Sequence, residues 1–310
     1  MRMIGPYTHE ARIVGIHGMV GDGKTTLAKI IYNQLSPDFE ECCFLSNIQE
    51  TLEMKGVEYL QNQLISNILR RQWTDMSNTD EGIKMIKDRL CCKKLLLLLD
   101  DVNKKNQLNA LMGKCDWFGE GSKLIITNKE VLNVIEVDCT YELNCMDYNK
   151  SLQLFSKYAF RRDSPLDDYL THSRKAVGIA QGLPLALKVI GLSLLGSKKE
   201  KWDVILKKLE KVPHEEVSSK LKLSYEALDD RQKHVFLDDD SELFPEEALE
   251  VLQHMSLIKI GEKNKLLMYD LLRDMGQEII RRDSNMVTEK HTRLWNHKEV
   301  FDLLITNPEK

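Results

Sequence analysis

The sequence predicts an α/β fold in which a parallel β-sheet is covered by helices on both faces. Three observations support this prediction. Short apolar runs alternate with segments of helical spacing, a glycine-rich loop follows the first run, and the run Leu95–Leu99 ends in Asp100 and Asp101. Strands buried on both faces appear as continuous apolar runs, and parallel strands need crossovers that are usually helical. With 310 residues, the chain has the length of about two domains.

The glycine-rich loop follows a first strand predicted at Arg12–Ile16 and has the pattern G-x-x-x-x-G-K followed by Ser or Thr. Glycines let backbone N–H groups turn inward around an anion, and the next helix directs its positive N-terminal end at the same place. Both flanks therefore favour a phosphate-binding loop over a simple glycine-rich turn. The residues predicted to contact a nucleotide here are Gly18, Gly21, Gly23, Lys24, Thr25 and Thr26.

Within this loop, Lys24 would contact the β- and γ-phosphates, and the Thr25 hydroxyl would bind Mg²⁺. Ligands bind open α/β sheets at the carboxyl ends of the strands, which is where Asp100 and Asp101 fall. We expect Asp100 to hold the metal together with Thr25, and Asp101 to orient an attacking water. An acidic strand end alone is a weak motif, but combined with the phosphate loop it predicts a magnesium–nucleotide site.

A further strand is predicted at Gly121–Lys129, and it ends in polar residues at the same edge of the sheet. Thr127 is the residue at this strand end that we expect to contact the γ-phosphate. The other elements predicted for the sheet half are a helix ending before Pro37, a strand at Cys42–Leu45, a helix at Leu60–Leu69, a polar loop at Trp73–Glu81 and a short helix at Ile83–Leu90.

The second half of the chain is predicted to be helical with one hairpin. The spacing indicates helices at Leu152–Phe160, Tyr169–Ala180, Leu185–Leu195, Trp202–Leu209, Val217–Leu228, Arg231–Leu237 and Glu246–Met255. A β-hairpin of Leu257–Ile260 with Leu266–Met268 and a closing helix over Leu271–Ile280 complete a winged-helix-like pattern. We therefore predict three domains: a nucleotide-binding domain at 1–145, a helical subdomain at 146–211 and a shortened winged-helix-like subdomain at 212–310.

Composition excludes several classes of protein. Apolar residues make up 42% and charged residues 30% of the chain, and the formal net charge of −4 gives no overall attraction to nucleic acid or anionic membrane. No leader segment is indicated, and the aliphatic run Leu95–Leu99 is too short to span a bilayer. Seven cysteines, including the pairs Cys42-Cys43 and Cys91-Cys92, fit neither a disulfide framework nor zinc spacing, so we expect reduced thiols and a cytoplasmic location, with the nucleus as the alternative.

The order of the motifs resembles a known family. The phosphate loop, LLLLLDDVN and GSKLIIT are followed by YELNCMDYNKSLQLFSKYAF from Tyr141, by GLPLAL at Gly182–Leu187 and by Met268-Tyr269-Asp270. This order resembles the NB-ARC module of plant nucleotide-binding leucine-rich-repeat disease resistance proteins, a branch of the STAND P-loop ATPases. The residues after the acidic pair, Val102-Asn103, resemble those found at this position in the receptors that carry a TIR domain.

The resemblance implies a molecular switch that is off with ADP and on with ATP, with slow or absent hydrolysis, so that the chain is at most a slow ATPase. It implies that Pro184 approaches the adenine, although a proline there is also a usual helix start. Tyr269 stands where the family has a histidine that contacts the β-phosphate of ADP. Expected partners are nucleotide, other receptor domains or immune-signalling proteins, and further copies of the chain on activation, but not membrane or nucleic acid.

Several residues depart from the family pattern. Val20 replaces a glycine and would be strained at positive φ, Asp22 would place a negative charge near the phosphates, and Asn128-Lys129 lacks the family's arginine. Tyr269 cannot carry positive charge near neutrality, and the acidic run at 239–242 interrupts an expected apolar helix. These departures favour an alternative in which the chain is a degenerate scaffold that does not switch.

Two further classes rank lower. An ordinary P-loop kinase or motor ATPase would have no use for GLPLAL or for the Met-x-Asp hairpin. DNA binding through the winged helix is weakly supported, because Arg281-Arg282 is a lone basic pair near acidic neighbours and favours a solvated helix end.

Overall fold

The computed structural model describes residues 12–70, 78–102, 104–113, 117–127, 137–210, 214–237, 245–260, 266–268, 271–276 and 279. The chain divides into two compact units. The first unit contains the described residues up to Gly18 and those of Gly23–Leu143. The second contains the short segment Met19–Asp22 together with the described residues from Asn144 onward.

The first unit is built on a five-stranded sheet with strand order β2-β3-β4-β1-β5. Its strands are β1 at Arg12–Gly18, β2 at Glu41–Leu45, β3 at Leu95–Leu99, β4 at Lys123–Thr127 and β5 at Cys139–Leu143. Every neighbouring pair in this sheet is parallel, as the apolar runs predicted. The sequence did not predict β5, because this edge strand is largely exposed and polar.

Helices cover both faces of this sheet, and β3 shows why. Leu95, Leu97 and Leu99 pack into one hydrophobic cluster, whereas Leu96 and Leu98 pack into another. Alternate residues of a strand point to opposite faces, so all five leucines are buried. The helices of this unit are Lys24–Leu35, Ile48–Lys55, Val57–Leu69, Thr79–Leu90 and Lys105–Met112.

Part of the loop predicted at Trp73–Glu81 is helical. Residues 71–77 lie outside the described residues, and the helix Thr79–Leu90 begins within the predicted loop. Asn78 accounts for this start, because its side chain accepts a hydrogen bond from the Glu81 N–H. An asparagine in the N-cap position satisfies one of the backbone donors that the first turn leaves unpaired, so a polar stretch can still open a helix.

The second unit is helical, with one antiparallel hairpin. Its helices are Tyr148–Phe160, Leu170–Ala180, Pro184–Leu194, Lys199–Leu209, Glu215–Glu226, Asp230–Leu237 and Pro245–His254. The hairpin pairs β6 at Ile258–Ile260 with β7 at Leu266–Met268, which confirms the predicted strands. Residues 271–276 are helical, at the start of the predicted closing helix. The split of this half at residue 211 into two subdomains stays a prediction.

The core of the second unit is organised around Trp202, which is 1% exposed. Its ring stacks on Phe160 at 5.4 Å between centroids and meets Phe155 edge-on at 6.0 Å. The centroid of the Tyr169 ring lies 4.9 Å from that of Trp202. Aromatic pairs of this kind stabilise a core beyond the area that they bury. No helix in the described part of the chain is long and apolar enough to cross a bilayer.

Candidate functional site

The phosphate loop connects β1 to the helix Lys24–Leu35. Gly23 occupies the N-cap position with φ 96°, a conformation that favours glycine, and its carbonyl accepts a hydrogen bond from the Leu27 N–H at 2.9 Å. The Lys24 Nζ donates to the Gly18 carbonyl at 2.9 Å, and Thr26 is exposed in the first turn of the helix. The helix therefore begins inside the motif, as the predicted phosphate-binding loop requires.

Asp100 is the centre of the predicted site in the first unit, and it is 1% exposed. The Thr25 hydroxyl donates to its Oδ1 at 2.9 Å, and the Thr127 hydroxyl donates to the same oxygen at 2.7 Å. Its backbone is also fixed, because its N–H donates to the Leu45 carbonyl and its carbonyl accepts from the Ile48 N–H. The structure thus brings together three predicted residues that are distant in the chain: Thr25, Asp100 and Thr127.

Asp101 follows in the left-handed conformation, with φ 63°. Its N–H donates to the Thr127 Oγ1 at 2.9 Å, and its carbonyl accepts from the Gln49 N–H at 3.3 Å. Desolvation and then the charge of Asp100 raise the pKa of the Asp101 carboxyl above its usual value, while Lys24 lowers it. A carboxylate with a raised pKa is a better proton acceptor, which suits the water-orienting role predicted for this residue.

The donor set suits magnesium. Mg²⁺ prefers oxygen ligands and is commonly held by one or two carboxylates, waters and substrate phosphates. Thr25 supplies a hydroxyl oxygen 2.9 Å from the buried carboxylate of Asp100, so the two side chains fit an ion that arrives with a nucleotide. Within the described residues there is no cluster of three or more His, Cys, Asp or Glu side chains that could hold a metal.

Gly21 belongs to the second unit, and it contacts the start of the helix Pro184–Leu194. The Leu185 N–H donates to the Gly21 carbonyl at 3.1 Å. The first N–H groups of a helix have no partner within the helix, so the loop carbonyl satisfies one of them. Pro184 lies in the first turn, as its role in starting the helix predicted. Its approach to an adenine stays a prediction.

The strain that we expected at Val20 is absent. Val20 is not among the described residues with positive φ, and its side chain packs against the hydrophobic core of the second unit. A valine therefore fits this position without the backbone cost that a left-handed conformation would impose. Asp22 is 5% exposed, and its N–H donates to the Met19 carbonyl at 3.2 Å. Its effect on a bound phosphate stays a prediction.

Several residues of interest lie outside the described residues. They are Tyr269, the pair Asn128-Lys129 and the acidic run at 239–242. The backbone of the acidic pair is also held by groups that the motifs did not predict, namely the N–H groups of Ile48 and Gln49 at the start of a helix. Asn47, with φ 50°, precedes them, and an asparagine between a strand and a helical pattern is the signal that could have indicated this turn.

The parallel sheet and the loop motif between its first strand and first helix define a protein with the P-loop NTPase fold. Among solved structures, the Walker-type ATPase PABY2304 of Pyrococcus abyssi is similar, with a TM-score of 0.57 and 12% identity over 86% of this chain and 91% of that chain. At this identity the similarity shows the fold alone. The fold class predicted from the sequence, a parallel sheet with helices followed by a helical region, is confirmed.

The chain belongs to the NB-ARC family, whose model matches residues 6–165. A second model, the winged-helix domain of Roq1-like disease resistance proteins, matches residues 230–284. The family resemblance predicted from the motif order and the winged-helix-like pattern are both confirmed.

Two curated relatives are disease resistance proteins. Disease resistance protein RUN1 of Vitis rotundifolia is 39% identical over 307 residues, which are 93% of this chain and 23% of that protein. TMV resistance protein N of Nicotiana glutinosa is 34% identical over 320 residues, 96% of this chain and 28% of that protein. The chain thus spans less than a third of the length of these relatives.

Proposed function

We propose that this chain is the nucleotide switch of a plant disease resistance protein, off with ADP and on with ATP. The single observation that supports this most directly is the hydrogen bond of 2.9 Å between Thr25 of the phosphate loop and the buried carboxylate of Asp100. It joins the residue that follows the motif lysine to an acidic strand end, the pair of groups that we propose to hold the metal of a magnesium–nucleotide complex. Membership of the NB-ARC family supports the same function.

Each residue of the first unit then has a definite role. The backbone of Gly18 and Gly23 and the hydroxyl of Thr26 line the phosphates, and Lys24 neutralises their charge. Thr25 and Asp100 hold Mg²⁺, which, when bound, offsets the negative charge of the phosphate oxygens. Thr127 lies next to this pair at the end of β4. From the resemblance, Gly21, Pro184 and Tyr269 are proposed as further nucleotide contacts.

The switch needs a difference in binding free energy between two conformations. A ligand shifts an equilibrium only as far as its affinities for the two states differ. ADP and ATP differ by the γ-phosphate alone, so the bias must come from groups close to it, and Asp101, through the water that it would orient, is one candidate in the first unit. Hydrolysis, if Asp101 orients a water, is slow and returns the switch to the ADP state.

The proposed partners follow from this role. ATP binding exposes surfaces for self-association or for other receptor domains and immune-signalling proteins, and the module works in the cytoplasm. Sedimentation of the purified chain with ADP and with a non-hydrolysable ATP analogue tests the first of these. We expect a larger sedimentation coefficient with the ATP analogue, and equal coefficients would contradict nucleotide-controlled assembly.

The experiment that tests nucleotide binding compares two lysine variants. Lys24→Ala removes the loop ammonium, whereas Lys29→Ala removes an exposed ammonium from the same helix. A charged hydrogen bond contributes about 1.5–3 kcal/mol, so Lys24→Ala should weaken ADP binding by roughly 10- to 150-fold in calorimetric titration. Lys29→Ala should bind within about twofold of the wild type, as expected for a surface change.

The nucleotide that copurifies with the protein decides between the switch and the scaffold. Acid release followed by chromatography should yield ADP from the wild type. Protein without bound nucleotide, together with equal affinities for the wild type and Lys24→Ala, would exclude the switch and favour a scaffold that does not bind nucleotide.

A further inference from the structure

The Thr127 hydroxyl forms hydrogen bonds with both residues of the acidic pair, Asp100 and Asp101. This side chain is buried, and its Oγ1 donates to the Asp100 Oδ1 at 2.7 Å. The same oxygen accepts a hydrogen bond from the Asp101 N–H at 2.9 Å, and the Thr127 backbone carbonyl accepts from the Val102 N–H at 3.3 Å. One residue at the end of β4 therefore contacts three consecutive residues at the end of β3.

The number of protons on a hydroxyl limits what Thr127 can do. A threonine hydroxyl has one hydrogen to donate and two lone pairs to accept with. Its hydrogen is used by Asp100, and one lone pair is used by the Asp101 N–H. Phosphate oxygens only accept hydrogen bonds at neutral pH, so Thr127 could donate to a γ-phosphate only by releasing Asp100.

We propose that Thr127 is a positioning residue that acts through Asp100 and does not bind the nucleotide itself. This inference rests on the proposed function, and it changes the role that the sequence suggested for Thr127. Thr127 and Thr25 both give their hydrogens to Oδ1, and the only hydroxyl near Oδ2 in the described part of the site is Thr25 at 3.1 Å. Oδ2 is thus the oxygen that retains acceptor capacity for a water bound to Mg²⁺.

Burial makes this arrangement important for metal binding. Thr127 is 2% exposed and Asp100 is 1% exposed, so water does not readily replace a lost hydrogen bond. Groups that hold a metal-binding carboxylate in place typically change metal affinity by about 10- to 100-fold when they are removed. Loss of the Thr127 hydroxyl should therefore weaken the contribution of Mg²⁺ to nucleotide binding, while direct contacts between protein and nucleotide persist.

The test measures the affinity for a non-hydrolysable ATP analogue, which carries the γ-phosphate, with Mg²⁺ and with EDTA, and takes the ratio of the two affinities. Thr127→Val keeps the side-chain shape but has no hydroxyl, and Thr127→Ser restores the hydroxyl. We expect the Mg²⁺ ratio of Thr127→Val to fall roughly 10- to 100-fold, its affinity in EDTA to stay within about twofold of the wild type, and Thr127→Ser to recover most of the ratio. Thermal unfolding without nucleotide, measured in parallel, reports whether each variant is folded.

A double variant tests whether Thr127 acts through Asp100. In an Asp100→Asn background, Thr127→Val should change the Mg²⁺ ratio by no more than about twofold, because coupled residues are not additive. Equal losses with Mg²⁺ and with EDTA would indicate a direct phosphate contact and overturn the proposal, as would an unchanged ratio in Thr127→Val. A wild type that binds neither ADP nor the ATP analogue would instead overturn the proposed function, and a wild type whose affinity for the analogue does not depend on Mg²⁺ would overturn the metal assignment.

Discussion

Gly21→Ala tests the contact between the phosphate loop and the helix Pro184–Leu194. Gly21 has φ +85°, and an added Cβ would lie 2.8 Å from the Leu185 Cβ and 3.0 Å from its Cδ2. Gly196, also in the second unit, has φ +68° but no atom within 4 Å of an added Cβ. The two glycines thus share a left-handed backbone and differ in the space around it, so Gly196→Ala is a matched control.

The expected magnitudes follow from these distances. A left-handed conformation costs an alanine about 1–2 kcal/mol, and this applies to both positions. Overpacking of the kind that a 2.8 Å contact forces costs typically 1–3 kcal/mol more, and it applies to Gly21 alone. Replacing glycine by alanine also lowers the conformational entropy of the unfolded chain, which favours folding, but this contribution is the same in both variants and cancels in the comparison. Gly21→Ala should therefore lower the free energy of unfolding by about 1–3 kcal/mol more than Gly196→Ala does.

Urea denaturation followed by circular dichroism, without nucleotide, measures this difference. The slope of the free energy with urea should be the same in both variants, so that the midpoints report stability. If Gly21→Ala is no less stable than Gly196→Ala, then Gly21 is not packed against Leu185. ADP titration of the two variants adds a second readout, since only Gly21 belongs to the motif.

Three further predictions concern single side chains. Burial raises the pKa of the Cys43 thiol to about 12, so iodoacetamide at neutral pH should modify the exposed Cys91 and Cys92 much faster than Cys43, and equal labelling by peptide mass spectrometry would contradict this. Trp202→Ala should cost about 3–5 kcal/mol in urea unfolding, whereas Trp202→Phe should cost less than about 2 kcal/mol, because the buried indole N–H has no hydrogen-bond partner among the described residues. Asn78→Ala should cost about 1 kcal/mol and Asn78→Asp much less, because aspartate keeps the capping oxygen, and equal losses would count against the cap.

Much of the fold could be predicted because the buried strands of the sheet are recognisable in the sequence by their apolar residues. β3 and β4 are buried along their whole length, so β3 appears as a run of five leucines and β4 contains the apolar run Leu124–Ile126. β5 could not be predicted, because an edge strand needs only one partner and its exposed side chains show no apolar run. The helix Lys105–Met112 was missed for a similar reason, since half of its residues are polar and its buried side depends on tertiary packing.

The residues of the site could be predicted from the sequence, but the hydrogen bonds between them could not. The motif and the acidic pair indicated Thr25, Asp100 and Asp101 because particular chemistry requires these residue types in this order. The bond from Leu185 to Gly21 and the normal backbone of Val20 are tertiary facts, because they depend on how the loop packs against a helix distant in sequence. Motif spacing contains no information about such packing.

The direction of the hydrogen bonds around Asp100 explains why this site suits a cation. The Thr25 hydrogen is donated to Asp100, so the Thr25 oxygen presents lone pairs and no hydrogen to a ligand. Lone pairs attract a metal ion, whereas a free hydrogen would favour a phosphate oxygen. The Thr127 hydrogen is also donated to Oδ1, which leaves Oδ2 with its weaker contact at 3.1 Å. The hydroxyls of Thr25 and Thr127 thereby give the carboxylate an orientation before any ligand arrives, so metal binding need not break a protein hydrogen bond.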